Sequence, residues 1–143
     1  LASSAASDVY KRQEVVKEYP TEVINPKICS DHTLTQIREI LRKVVSQGLA
    51  KPAGSKQFSV SGKTGTAQNR GHDHSVFMGF APMNDPKIAI AVYVENGGWG
   101  ADYGVPLGTL MMEQYLNGKL SPESEKLAEM YQQRHIGYGT ADR

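Results

Sequence analysis

The spacing of apolar residues changes along the chain and divides it into segments. Leu34, Ile37, Leu41, Val44 and Val45 recur at spacings of three and four, which places them on one face of a helix over about Leu34 to Gln47. Thr33 with Gln36 has the form of a capping box at its start, and Gly48 supplies the stop. Lys51 to Gln57 reads as a loop, and three strand candidates come after it: Phe58–Gln68, interrupted by Gly62 and Gly65, then Ser75–Ala81, then Ile88–Glu95. Pro82-Met83-Asn84-Asp85-Pro86 joins the last two with a turn-rich link of hairpin length. In the third strand Ile88, Ile90, Val92 and Val94 alternate with Ala89, Ala91 and Tyr93, so both faces are apolar and a strand covered on both sides is predicted. After the loop Asn96–Gly100 the helical period returns over about Pro106 to Leu116, with Leu107, Leu110 and Met111 on one face and Gly118 as terminator. Ser121-Pro122-Glu123 opens a last helix, to about Arg134, whose apolar content (Leu127, Met130, Tyr131) predicts a surface position.

The flanks carry less pattern. Leu1 to Gln13 shows no period and lacks both the basic start and the apolar core of a signal peptide, so residues 1–13 read as a non-native or disordered leader. Val15, Val16, Val23 and Ile24, separated by Pro20 and closed by Pro26, predict an extended stretch. The main structured part is thus expected over 14–118, with a charged helical tail over 119–143 whose last residues, from Gly137, fray.

Composition narrows the function. The balance of 16 Lys+Arg against 15 Asp+Glu gives +1, which supplies no electrostatic case for nucleic acid or an anionic lipid surface. The longest unbroken apolar stretch, Ile88–Val94, is far below the roughly 20 residues a bilayer requires. Cys29 is the lone cysteine, which leaves no internal disulfide and no thiolate zinc cluster, and it reads as an inert thiol. Ten of the 14 glycines fall between Gly62 and Gly118, where tight turns and close backbone approaches are expected.

The chemistry concentrates in Ser61-Gly62-Lys63-Thr64-Gly65-Thr66-Ala67-Gln68. Gly62-Lys63-Thr64 matches the end of a phosphate-binding loop, but position 57 is Gln where that motif needs Gly, and the residues after Thr64 do not open a helix. Lys-Thr-Gly on a strand is instead one of the three signature elements of penicillin-interacting serine acyl-transferases. A lysine on an edge strand supplies positive field for a substrate carboxylate, and Gly65 removes a side chain that would obstruct a ligand. Thr64 and Thr66 offer hydroxyl donors, and the Thr66 N–H can serve an oxyanion.

The triplet stands in a longer ordered context: KTGTAQ, then HSVFMGFAP from His74, then IAIAV from Ile88, then VENGG from Val94. In that order and spacing, from about Val15 to Leu116, the chain resembles the end of the transpeptidase domain of class B penicillin-binding proteins, nearest to the elongation type. The resemblance implies an α+β fold, part of a penicillin-binding/serine β-lactamase-like domain, with about three strands of its antiparallel sheet present and helices flanking them. It implies a serine D,D-transpeptidase in which Lys63 organises the hydrogen-bond network, Thr64 and Thr66 bind the terminal carboxylate, and Gly65 leaves room for it. The Thr66 N–H would form half of the oxyanion hole. The implied ligands are D-Ala-D-Ala stem peptides and β-lactams, with a membrane glycosyltransferase as partner of the parent protein. No cofactor is implied, and the parent would sit in the bacterial inner membrane with this segment on the periplasmic side.

Two parts of the family pattern are absent from the 143 residues. No Ser has Lys three positions later, and no Asn has Ser two positions before it. The expectation is therefore a C-terminal fragment, holding one wall of an active site and inactive alone. A β-lactam sensor of the same fold, or a septation-type transpeptidase, is the alternative; KTGTAQ and VENGG favour the elongation-type enzyme. His72-Asp73-His74 offers metal-ligand residue types, but three neighbours in a glycine-rich loop read better as a solvated turn, so no metal is expected. Trp99 is expected to bury against the terminal helix, with packing against the cleft or a partner as the alternative.

Overall fold

A computed structural model describes residues 22–137. The chain divides into a unit ending at Ser30 and a unit beginning at Asp31. In the first, the described residues form no helix or strand: Val23, Ile24 and Ile28 are exposed, and Cys29 is half-buried. Val15 and Val16 lie outside the described residues.

The second unit runs α1 (Asp31–Ser46), a single 3-10 turn (Lys51–Ala53), β1 (Ser61–Ala67), β2 (His74–Ala81), β3 (Ile88–Val94), α2 (Gly104–Asn117) and α3 (Pro122–Gln132). The strands form one antiparallel sheet in the order β1-β2-β3, with β1 at an edge. Sheet and flanking helices make the α+β arrangement expected. No helix among the described residues is long and apolar enough to cross a membrane.

Register assigns every side chain to a face, because successive residues of a strand alternate. Thr64, Phe77 and Val92 stand in one row, with Gly62, Gly79 and Ile90 in the row two residues along on the same face. Helix α2 lies on this face, and its glycines bring it close. A Cβ added at Gly108 would sit 2.7 Å from Phe77 Cδ1, and one at Gly104 would sit 2.9 Å from the Val76 carbonyl carbon. Phe77, Met112, Val105 and Val60 are fully buried around this contact, with Val45 and Ala53 completing the core. The stripe of α2 that meets the sheet is therefore Val105, Gly108 and Met112; Leu110 is buried as predicted, while Met111 is exposed. Hydropathy points to Met111 because it gives Gly108 no weight; the helix faces the sheet where a glycine permits contact.

The opposite face carries Lys63, Met78 and Ala91 in one row and Ser61, Phe80 and Ala89 in the next. Helix α1 packs toward β1; Arg42 Nη1 donates to the Val60 carbonyl at 2.9 Å, and Leu41 borders the strip formed by Met78, Phe80, Ala89 and Ala91. Among the described residues Leu41 only borders that strip, and the face is otherwise open. Ala89, Ala91 and Tyr93 are exposed, so among the described residues β3 is covered on its Ile/Val side alone, which corrects the expectation of cover on both. Other boundaries also shift. Helix α1 begins at Asp31, which places Thr33 within its first turn instead of at the cap, and β1 begins at Ser61 and passes unbroken through Gly62 and Gly65. Gly118 ends α2 in the left-handed conformation at φ 71°, and the Ser121 side chain accepts from Ser124 N at the start of α3, both as the sequence predicts.

Candidate active-site groove

Lys63, Thr64, Gly65 and Thr66 occupy consecutive positions of β1 and line one groove of about 320 Å³ with Leu49, Trp99, Gly100 and Ala101. Among the described residues β1 is an edge strand, so alternate backbone N–H and C=O groups along it have no strand partner and can meet an extended ligand. Lys63 is exposed, and its ammonium donates to the Thr64 carbonyl; among the described residues no carboxylate pairs with it. Thr64 is half-buried beneath the groove and Thr66 is exposed at its end. A cationic side chain, two hydroxyls and an open strand edge within one strand can receive a peptide-like ligand that ends in a carboxylate. A larger hollow of about 690 Å³ between α2, α3 and the Gly54–Gln57 loop shares Ala101 with the groove but holds none of Lys63, Thr64, Gly65 or Thr66, so chemistry rather than size selects the groove.

The other wall is the turn from Trp99 to Asp102, which sequence reasoning did not assign. Trp99 is 74% exposed at the groove, contrary to the expected burial against the terminal helix. The turn is tied to itself and to the sheet. Asp102 N donates to the Trp99 carbonyl at 2.8 Å, and Trp99 N donates to Asp102 Oδ2 at 3.0 Å. The buried Ser75 hydroxyl donates to the Trp99 carbonyl at 2.7 Å and accepts from Gly104 N at 2.9 Å. Gly100 lies directly on β1 and β2: a Cβ there would meet both the Gly65 and the Val76 carbonyl oxygens at 2.6 Å. Ser75 carries no motif to announce this role, and the glycines around Trp99 were the one available signal that the turn presses on the sheet.

The His72–His74 segment is structural. His74 begins β2, its Nδ1 accepts from Asn96 N at 2.9 Å, and its ring lies 5.2 Å from that of Tyr93. Asp73 accepts from Asn69 N through Oδ1 and from Gly98 N through its carbonyl. These bonds tie the β1–β2 connection to the Asn96–Gly98 loop and engage Asp73 and His74 separately. Among the described residues no group of three or more His, Cys, Asp or Glu is arranged to hold a metal ion.

Comparison with known proteins points to one family. A family model described as the penicillin binding protein transpeptidase domain matches residues 4–113, which includes β1 to β3 and most of α2. Stage V sporulation protein D of Bacillus subtilis is 30% identical over 137 residues, covering 87% of this chain and 21% of that protein. Peptidoglycan D,D-transpeptidase MrdA of Haemophilus influenzae is 33% identical over 100 residues, covering 59% of this chain and 15% of that protein. The crystal structure of Pseudomonas aeruginosa PBP2 in complex with WCK 5153 superposes with a TM-score of 0.53 at 37% identity, covering 62% of this chain and 21% of that one. The chain spans about a fifth of the length of the relatives it matches, or less.

Proposed function

Since the chain belongs to the penicillin-binding protein transpeptidase family, we propose that it supplies the Lys-Thr-Gly wall of a peptidoglycan D,D-transpeptidase site. The observation that carries this is the placement of Lys63–Thr66 along an edge strand beneath the groove, with Lys63 free of any carboxylate partner among the described residues. In this role β1 receives the stem peptide, or a β-lactam, as an added strand. Lys63 supplies positive charge to the terminal carboxylate and to the serine machinery, and Thr64 and Thr66 hold that carboxylate by hydrogen bonds. Gly65 keeps the strand open above Val76, and the Thr66 N–H donates to the oxyanion that forms as the carbonyl is attacked. The attacking serine and its lysine come from outside these 143 residues, which hold no Ser-x-x-Lys. The names of the relatives, D,D-transpeptidases among them, favour an enzyme over a β-lactam sensor. An elongation role, a membrane glycosyltransferase partner and a periplasmic placement of this segment belong to the same reading.

Labelling with a fluorescent penicillin tests it. A full-length transpeptidase carrying these residues becomes covalently labelled, and the 143-residue chain alone does not. Lys63→Ala in the full-length protein slows acylation by about 100-fold or more, the loss typical of removing one electrostatic contributor to an oxyanion transition state. Wild-type acylation rates in that variant, or covalent labelling of the 143-residue chain, would overturn the assignment.

A further inference from the structure

The family match ends at residue 113, yet the helix beyond it is bonded to the groove wall. Near the end of α3, Tyr131 Oη donates to the Asp102 carbonyl at 2.6 Å, and Arg134 Nη1 reaches the same oxygen at 3.4 Å. The Tyr131 ring meets that of Tyr103 edge-on at 5.5 Å, and the Arg134 guanidinium lies 4.6 Å over the Tyr103 ring. Asp102 is also the residue that closes the turn on Trp99, through its own N–H and its carboxylate. The turn is thus gripped from two sides, by the sheet through Ser75 and by the tail helix through Tyr131. Burial pushes the Tyr131 phenol above its ordinary value against the opposing pull of Arg134, so the hydroxyl remains a proton donor at neutral pH.

We propose that Tyr131 is a positioning residue for the reaction: through Asp102 it holds the Trp99–Ala101 wall at its working distance from Lys63–Thr66, and so governs which acyl donors the groove accepts. The inference rests on the reading of the groove as a β-lactam and stem-peptide site. A wall carrying an exposed indole discriminates between ligands that reach it and ligands that do not, and the discrimination depends on where the wall stands. Losing one hydroxyl outside the groove's own lining would be silent if α3 were a passive appendage.

The test uses the full-length transpeptidase and two penicillins, benzylpenicillin and 6-aminopenicillanic acid, which lacks the acyl side chain. Tyr131→Phe keeps the ring contacts with Tyr103 and Arg134 and removes only the hydrogen bond. The ratio of second-order acylation rates, benzylpenicillin over 6-aminopenicillanic acid, is expected to fall about three- to tenfold, the equivalent of one net hydrogen bond. Trp99→Ala is expected to lower the same ratio, and adding Tyr131→Phe to it to lower the ratio no further, because both act through one wall. An unchanged ratio in Tyr131→Phe, equal losses with both penicillins, or additive losses in the double variant would overturn the positioning role. A wild-type protein acylated by neither penicillin would overturn the groove reading itself, and this inference with it.

Discussion

Replacing Gly100 by Ala tests the contact that sets the groove. The added Cβ would stand 2.6 Å from two main-chain oxygens, those of Gly65 and Val76, and 3.0 Å from Thr64 Cβ. Backbone oxygens inside a paired sheet cannot rotate away as a side chain can, so the turn must lift from β1 and β2. Gly100 itself is not in the left-handed region, so alanine suffers no dihedral penalty there, and the clash is opposed only by the stabilisation of about 0.4–1 kcal/mol that comes from restricting the unfolded chain. Overpacking of this kind costs about 1–3 kcal/mol. At about 4 °C per kcal/mol for a domain of this size, the melting temperature should fall by roughly 4–12 °C. Thermal unfolding followed by circular dichroism measures it, with Gly137→Ala as control, since a Cβ there meets nothing within 4 Å. A Gly100→Ala chain that melts with wild type would refute the claim that the turn rests on the two carbonyls, and with it the geometry assigned to the groove.

Two further outcomes probe the support beneath the site. Phe77→Ala removes a side chain with no exposed surface, around which Gly62, Gly79, Gly104 and Gly108 have closed, and should cost about 3–5 kcal/mol, read as a shift in the urea midpoint at unchanged slope. Burial raises the Glu113 carboxyl, but hydrogen bonds from Ser124 Oγ and from the N–H and hydroxyl of Ser121 outweigh it and hold the group below its ordinary value. A carboxylate depressed in the folded state contributes stability above its unfolded value and loses it as pH falls through the folded one. Melting temperature against pH should therefore show Glu113→Gln less stable than wild type near neutrality, the gap closing in acid; a gap that persists in acid would assign the effect to packing.

The sheet and the helices were legible because alternation and the three-four spacing survive wherever one face of an element is buried. Ile88, Ile90, Val92 and Val94 reported the covered face of β3 correctly, and Lys63–Thr66 fell on an edge strand as the motif required. Gly118 and Ser121 announced their helix ends, and close approaches were expected among the glycines from Gly62 to Gly118; what escaped was which of these residues make the contacts that set the packing and the groove wall. Gly108 rather than a methionine marks where α2 meets Phe77, and Gly100 marks where the wall meets β1. Trp99 reads as core because tryptophan usually is, yet the bonds that fix its turn run through main-chain atoms and the hydroxyls of Ser75 and Tyr131, which have no periodic signature. The alanines of β3 read as a second buried face, since a small apolar side chain is equally at home beneath a helix and bare.

That bare face governs how the chain behaves among copies of itself. Among the described residues β3 has a partner on one side only, and its seven residues, Ile88 to Val94, carry no charge and no proline. An unpaired strand of that composition, with Tyr93 exposed on it and Met78 exposed on its neighbour, is a template onto which another chain can add. Lys87 and Glu95 bracket it as the nearest charges along the chain, the pattern of gatekeepers that limit stacking without preventing it. The fraction of the 143-residue chain that stays in solution should consequently fall as its concentration rises, before its fold fails, and a single charge at Ala91, on the open face, should raise the concentration at which this happens.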